Sequence, residues 1–387
     1  MEKGKKGLSE FERYKQKMNI QRKFHSLLGV LMVSALVLSL VAGLDYFSGS
    51  RFGNLFRSGF AGSGGYPVPL LNHSVRQMEP VNWDVALLSD SSVLIFDNQG
   101  SERLSLSHGC ATPVLKSDGG RLLCYDQGGT QYHMITSSRL SHSGTAEGAI
   151  HAADIASNGS AALATSSTKN ATLVTFYDEF GNVTYSWKNS NMVSAIALSP
   201  DGRQAAVVLY SAREGEMITS VVLLNLTKST VEKPVFSIEI AGEFGYYVAF
   251  RENTLALITD QSVKSIDQMG RIRAEYSFNG QQIQMFADGG SSTVLVLGNY
   301  RYMRASQLVS LDEKCRVLYS SQLDLSIDSI RANGNGFYLL SEGSLSHYDY
   351  KGGLISQINL PGAIAWLPLG QNLYAATYEE LQRHLVR

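Results

Sequence analysis

The sequence predicts an all-β fold, a beta-propeller with eight blades favoured over seven, preceded by one transmembrane α-helix. Three observations carry this reading. An uncharged apolar run lies near the N-terminus, a Gly/Ser-rich stretch follows it, and two ladders of turn residues recur about every 42 residues through the remainder. The expected organisation is a basic cytoplasmic tail over 1–25, a transmembrane helix over 26–46, a tether over 47–66 and an extracytoplasmic propeller over 67–387.

Leu27 to Leu44 is 18 residues without a charge. At about 1.5 Å per residue a helix of that length reaches roughly 27 Å, close to the hydrocarbon thickness of a bilayer. The 26 residues before it carry eight Lys/Arg against Glu2, Glu10 and Glu12, and Asp45 closes the other end. Positive charge is retained on the cytoplasmic side, so the expected topology is N-terminus in the cytoplasm, with Arg22 and Lys23 facing the membrane surface and later residues outside. A cleaved signal peptide is the alternative, but its head is normally short and its apolar stretch only roughly 7–15 residues. Ala35, Ser39 and Gly43 recur every fourth residue, a spacing that lets two helices approach in lipid and suggests a weak dimer. Ser48 to Tyr66 then holds six glycines and four serines in 19 residues, the composition of a flexible tether.

Beyond the tether the chain shows short runs of Val, Ile, Leu and Tyr broken by Gly, Asn, Asp and Ser, the pattern of many strands. One turn ladder runs Asp118-Gly119-Gly120, Asn158-Gly159, Asp201-Gly202, Glu252-Asn253, Asp288-Gly289-Gly290, Asn333-Gly334 and Gln371-Asn372. Such dipeptides supply the positive φ that tight hairpins need. The second ladder reads Asp-x-x-Gly at Asp97, Asp178, Asp267 and Asp349, with Asn225 to Lys228 and Asp312 to Cys315 holding equivalent places without glycine. The gap from Asp97 to Asp178 is two periods, which implies a degenerate turn near Ser137.

Four strands per period make a sheet that cannot cover its own apolar faces, and radial stacking buries them against the next blade. In the best-defined unit Val193 to Ser199 is the inner strand, Gln204 to Tyr210 the second, Ser220 to Asn225 the third and Val235 to Ile240 the outer. The last unit, from Ala363, holds at most three strands, and the stretch Pro67 to Val75 is the expected donor of its outer strand.

These units, with Ser199-Pro200-Asp201-Gly202, resemble WD40-like and quinoprotein-like propellers. The order of basic tail, single span, Gly/Ser tether and propeller resembles an uncharacterised family of bacterial, clostridial-type, single-pass membrane proteins known only as a domain of unknown function. That resemblance implies fold and cell-membrane location, and no reaction. The Trp-Asp dipeptide of WD40 strand ends is missing, since Trp83-Asp84 falls too early, which favours the quinoprotein-like type.

A formal charge of −1 argues against a mainly nucleic-acid-binding protein, and three cysteines exclude a four-cysteine zinc module. No nucleophile elbow, metalloprotease helix motif, phosphate loop or calcium loop occurs. His108, Cys110, Cys124 and His133 fall within one unit, but their spacing matches no zinc pattern and strand alternation is expected to scatter them. A Cys110–Cys124 disulfide is the other option, against three buried thiols as the preferred state. His142, His151 and Asp154 lie close in sequence without a nucleophile. Tyr300, Arg301, Tyr302 and Arg304 form a basic aromatic stretch suited to an interaction loop. No cofactor, metal or catalytic residue is assigned. The expected function is a non-catalytic binding or scaffolding module for a protein or cell-envelope polymer. The alternative is a propeller enzyme, either a quinone-dependent dehydrogenase or a glycan-active hydrolase.

Overall fold

An aspartate two residues before a tight turn can cap the turn with its own carboxylate, and this chain uses that device repeatedly. In the computed structural model of the protein, which describes residues 65–70, 73–227, 233–299, 304–323 and 326–386, Asp97 Oδ1 accepts the N–H groups of Gln99 and Ser101 at 2.8 and 2.9 Å. The same pair of bonds recurs at Asp178, Asp267, Asp312 and Asp349. Gly352 sits at φ 86° in the last of these turns, and Cys315 takes the glycine position at φ 56°. A Cβ on Gly352 would lie 2.2 Å from the Tyr319 ring. Gly352→Ala is therefore expected to lower the unfolding free energy by about 2 kcal/mol, from backbone strain and ring displacement together, measured by urea unfolding.

The described strands form eight four-stranded antiparallel sheets. Blade 1 comprises Val75–Val81, Asp84–Ser89, Ser92–Phe96 and Glu102–Ser107. The inner strands of blades 2 to 8 are Pro113–Asp118, Ile150–Ile155, Met192–Leu198, Gly245–Phe250, Gln282–Asp288, Ser329–Asn333 and Ala365–Leu369. Blade 4 follows the expected grammar, although its second and third strands, Gln204–Arg213 and Glu216–Asn225, run longer than the sequence suggested. The degenerate turn of blade 2 is Ser137-Ser138, between Gln131–Thr136 and Arg139–Thr145. Because successive strands reverse direction, both turn ladders fall on one face of the ring, which we call the double-turn face.

Blade 8 resolves the choice between seven and eight. Its own strands are Ala365–Leu369, Asn372–Ala376 and Glu380–Leu385, and the short strand Val68–Pro69 pairs with the last of them, Val68 opposite Leu381. Leu70 N–H donates to the Glu379 carbonyl at 2.7 Å, and the Leu70 side chain is buried. The Tyr66 hydroxyl donates to the Asp97 carbonyl at 2.8 Å. Val75 instead opens blade 1, so the ring is closed by residues 66–70 alone.

Each blade presents alternate side chains to its two neighbours. In blade 4, Val207 and Leu209 pack toward blade 3, while Ala206 and Val208 pack toward blade 5. The described residues form eight such apolar clusters, one at every blade interface, including the blade 8–blade 1 junction of Leu70, Val75, Met78, Leu367, Tyr374 and Leu381. Full burial of one such side chain contributes about 1.5–3 kcal/mol.

The basic tail, the expected helix and nearly all of the tether, with Arg22, Lys23, Ala35, Ser39 and Gly43, lie outside the described residues, as do Lys228, Tyr300, Arg301 and Tyr302. Among the described residues no helix is long and apolar enough to cross a membrane.

Candidate ligand-binding channel

The eight inner strands converge on the ring axis, so the side chains they turn inward define a channel. On the inner strands of blades 1, 3, 4, 5 and 6 the register slips near the strand start, inserting Arg76, His151, Ser194, Tyr246 or Gln284 as an extra residue. Such bulges re-aim side chains, and an enclosing ring of strands is where they are expected. One part of the channel is a cavity of about 500 Å³ bounded by blades 2 to 6 and lined by Lys116, Asp118, His151, Asp154, Tyr247 and Asp288 among others. A second, of about 520 Å³, is bounded by blades 1, 6, 7 and 8 and lined by Glu79, Asp288 and Arg331.

Most of these polar groups bond across a blade boundary. Leu198 N–H of blade 4 donates to Asp154 Oδ2 of blade 3 at 2.8 Å. Gln77 of blade 1 exchanges two bonds with the Leu115 backbone of blade 2, at 2.7 and 3.1 Å. Ser194 Oγ donates to the Gly245 carbonyl at 2.6 Å. Tyr247 donates to Asp288 Oδ2 at 3.0 Å, and the buried Arg251 guanidinium lies 2.9 Å from Asp288 Oδ1. Trp366 Nε1 donates to Ser329 Oγ at 2.7 Å, and Arg331 reaches from blade 7 to the Met78 carbonyl of blade 1 at 2.6 Å.

Burial pushes the Asp154 carboxyl up to about 6, opposed by the Lys116 charge and its backbone hydrogen bonds and reinforced by the Asp118 charge. Burial also raises Asp118, against the pull of the Ser157 N–H. Burial and the Asp288 charge hold the Tyr247 hydroxyl far above its ordinary range. An acid raised on folding binds more protons folded than unfolded, so its contribution is complete below about pH 4 and is lost as pH rises through 6. Asp154→Asn is therefore expected to flatten the fall in stability between pH 4 and 7 by about 2 kcal/mol, read from urea titrations at successive pH values.

The other sequence candidates fall elsewhere. His142 stands on the outer strand of blade 2, its Nε2 3.3 Å from the Tyr132 hydroxyl, so it forms no trio with the channel residues His151 and Asp154. His108, Cys110, Cys124 and His133 were expected to scatter, yet they meet at the blade 1–blade 2 interface. Cys110 sits on the connecting segment, outside strand alternation, where it can turn toward Cys124. His108 Nδ1 accepts the Cys110 N–H at 3.0 Å, His108 Nε2 lies 3.1 Å from the Ser89 carbonyl, and His133 Nε2 lies 2.8 Å from the His108 carbonyl. A hydrogen bond with the Cys124 thiol lowers the Cys110 thiol, and that contact together with burial displaces the titration of Cys124 upward. All three cysteines are buried free thiols. Among the described residues no group of three or more His, Cys, Asp or Glu side chains is disposed to hold a metal. Arg304 opens a strand of blade 6 opposite Asn299.

Residues 72–377 match the model of a family described as of unknown function, DUF5711. The chain belongs to that family. No curated protein matches the sequence. Among solved structures, this DUF5711 chain is similar to BamB from Moraxella catarrhalis, with a TM-score of 0.54 and 13% identity over 81% of this chain and 94% of that one. It is also similar to a eukaryotic initiation factor, with a TM-score of 0.53 and 16% identity over 82% and 86% of the two chains. At such identities these likenesses speak to the propeller fold alone.

Proposed function

We propose that this chain is a single-pass, membrane-anchored, extracytoplasmic propeller that acts as a non-catalytic scaffold, binding a protein or cell-envelope polymer. The observation that carries this reading is the use made of the channel's polar groups. Asp154, Gln77, Ser194, Tyr247 and Asp288 are committed to neighbouring blades, and Arg331 spans from blade 7 to blade 1. They stiffen a ring that presents loop-bearing surface for recognition of a partner. The anchoring half of the proposal rests on the uncharged run from Leu27 to Leu44 and the basic residues before it. Chemical crosslinking on intact cells, followed by mass spectrometry, is expected to recover a reproducible partner, with Arg301 and the surrounding loop as one contact. Crosslinks confined to cytoplasmic proteins would reverse the topology.

One observation favours a second reading. Asp118 and Asp154 line the same cavity, and Asp154, raised by burial to about 6, has the character of the protonated acid of a glycan-active hydrolase, with Asp118 as the candidate second carboxylate. Asp118→Asn and Asp154→Asn separate the two. Unchanged crosslinks and unchanged envelope glycan chains support the scaffold, whereas altered glycan chains in either variant support the hydrolase.

A further inference from the structure

Scattered apolar side chains are normal on a protein surface, but here their distribution is one-sided. Among the described residues fourteen large apolar side chains are exposed, and only Met217 and Tyr378 belong to the face opposite the double-turn face. The other twelve stand in the turns or at the strand ends of the double-turn face. Blades 1 to 4 contribute Trp83, Leu140, Phe180 and Val235. Blades 5 to 8 contribute Met269, Val317, Leu354 and Leu385, so every blade supplies at least one. Met269 is 72% exposed and Leu385 68%, while Tyr378 on the opposite face reaches 75%.

Three of the outer strands carry the same asymmetry along their length, whereas that of blade 1 exposes only Glu102, Ser105 and Ser107. Their exposed positions run Val183, Thr184, Ser186, Lys188 in blade 3 and Leu354, Ile355, Gln357, Asn359 in blade 7, apolar at the double-turn end and polar toward the opposite face. Blade 6 repeats it with Val317, Ser320 and Gln322. Water on both sides gives no reason for such a gradient; a boundary between two media does.

The point of entry of the chain says which medium. Gly65 lies against Gly100, in the Asp97 turn on the double-turn face, and Val68–Pro69 runs from that face toward the opposite one. The 64 residues that precede Gly65, with the uncharged run from Leu27 to Leu44, therefore join the propeller at the apolar rim. A crown that involves all eight blades is matched by a flat, extended surface such as that of a bilayer.

We propose that the double-turn face rests on a lipid bilayer, with the apolar crown immersed at the headgroup–acyl boundary. This rests on the membrane-anchored reading above. It directs the opposite face, where the strands flanking residues 300–303 end, away from the membrane and toward a partner.

The test uses the full chain reconstituted in vesicles of phosphatidylcholine and phosphatidylglycerol, labelled with a small fluorophore at Met269→Cys or Leu354→Cys on the crown, or at Met217→Cys or Tyr378→Cys opposite. The native cysteines are buried and compete poorly for label. Lipids carrying nitroxide on the upper acyl chain are expected to quench the crown labels about twofold or more and to leave the opposite labels unchanged. Equal quenching at both faces, or none at either while the chain stays in the vesicles at alkaline pH, overturns the proposal and leaves the anchor standing. Crown labels shielded from aqueous iodide but unquenched by lipid identify a protein or a second copy as the occupant, and also overturn it. Release of the chain from the vesicles at alkaline pH removes the anchor and the proposal together.

Discussion

A chain that begins after Leu70 is expected to lose on the order of 5 kcal/mol of stability relative to one that begins at Gly65, and to aggregate on refolding. The six residues between are few, but they hold the ring shut. Removing them deletes the buried Leu70 side chain, the pairing of Val68 and Pro69 with Leu381 and Glu380, and the Tyr66 ring that packs 5.5 Å from Tyr374. It leaves Glu380–Leu385 as an open strand edge beside the apolar blade 8–blade 1 cluster. Urea midpoints and light scattering during refolding measure the two effects. Equal midpoints for the two truncations would show that the closing strand contributes nothing.

The second large effect is expected at Lys264. Its side chain is 4% exposed, on the third strand of blade 5, with Nζ 2.9 Å from both Glu243 Oε1 and Glu275 Oε1. Burial alone would raise the Glu243 carboxyl. Hydrogen bonds from Thr259, Lys264 and Ser262 outweigh it and hold that carboxyl below its ordinary value. Lys264→Met strands a desolvated carboxylate and is expected to cost about 3–5 kcal/mol, since breaking a buried ion pair from one side leaves the other charge uncompensated. Lys264→Met combined with Glu243→Gln is expected to recover at least about half of that loss, because the glutamine keeps an acceptor for Thr259 and Ser262 without a charge. The sign with pH follows from a depressed acid: the stabilisation is present above its unfolded-state value and disappears as pH falls. The single variant should therefore recover toward wild type in acid. A loss that is the same at pH 7 and pH 4 would place the cost in packing instead.

The turn ladders were legible because each carries its own chemistry. An Asp whose carboxylate caps the two following N–H groups is a local device, and its recurrence betrays the period even where Cys315 replaces glycine. Blade closure was legible from the missing outer strand of the last unit. The first inner turn was not, because Asn82 takes positive φ before Trp83 without the glycine that announces most of the others. The channel was less legible still. Asp154 and Leu198 lie 44 residues apart, and only the radial stacking of blades 3 and 4 joins them. The meeting of Cys110 with Cys124 was masked for a similar reason, since alternation along a strand does not govern a residue on the segment between blades. A lysine in the strand Ser-Val-Lys-Ser-Ile-Asp, Ser262 to Asp267, was the available sign of a buried charge, but its glutamate partners could not be read from spacing. The apolar crown was visible only once strand direction assigned each exposed residue to a face.

The ring is closed by a strand from the other end of the chain, with Val68 opposite Leu381. Directly opposed residues of antiparallel strands place their Cβ atoms about 4.5–5.5 Å apart, close enough for an engineered disulfide with small adjustment. The double variant Val68→Cys, Leu381→Cys, oxidised at low protein concentration, is predicted to form an intramolecular bond in nearly every molecule. It should migrate as a closed loop on a non-reducing gel and yield the joined peptides by mass spectrometry. A Val68–Leu381 pair that stays reduced, or bonds only between chains, would contradict the closed ring.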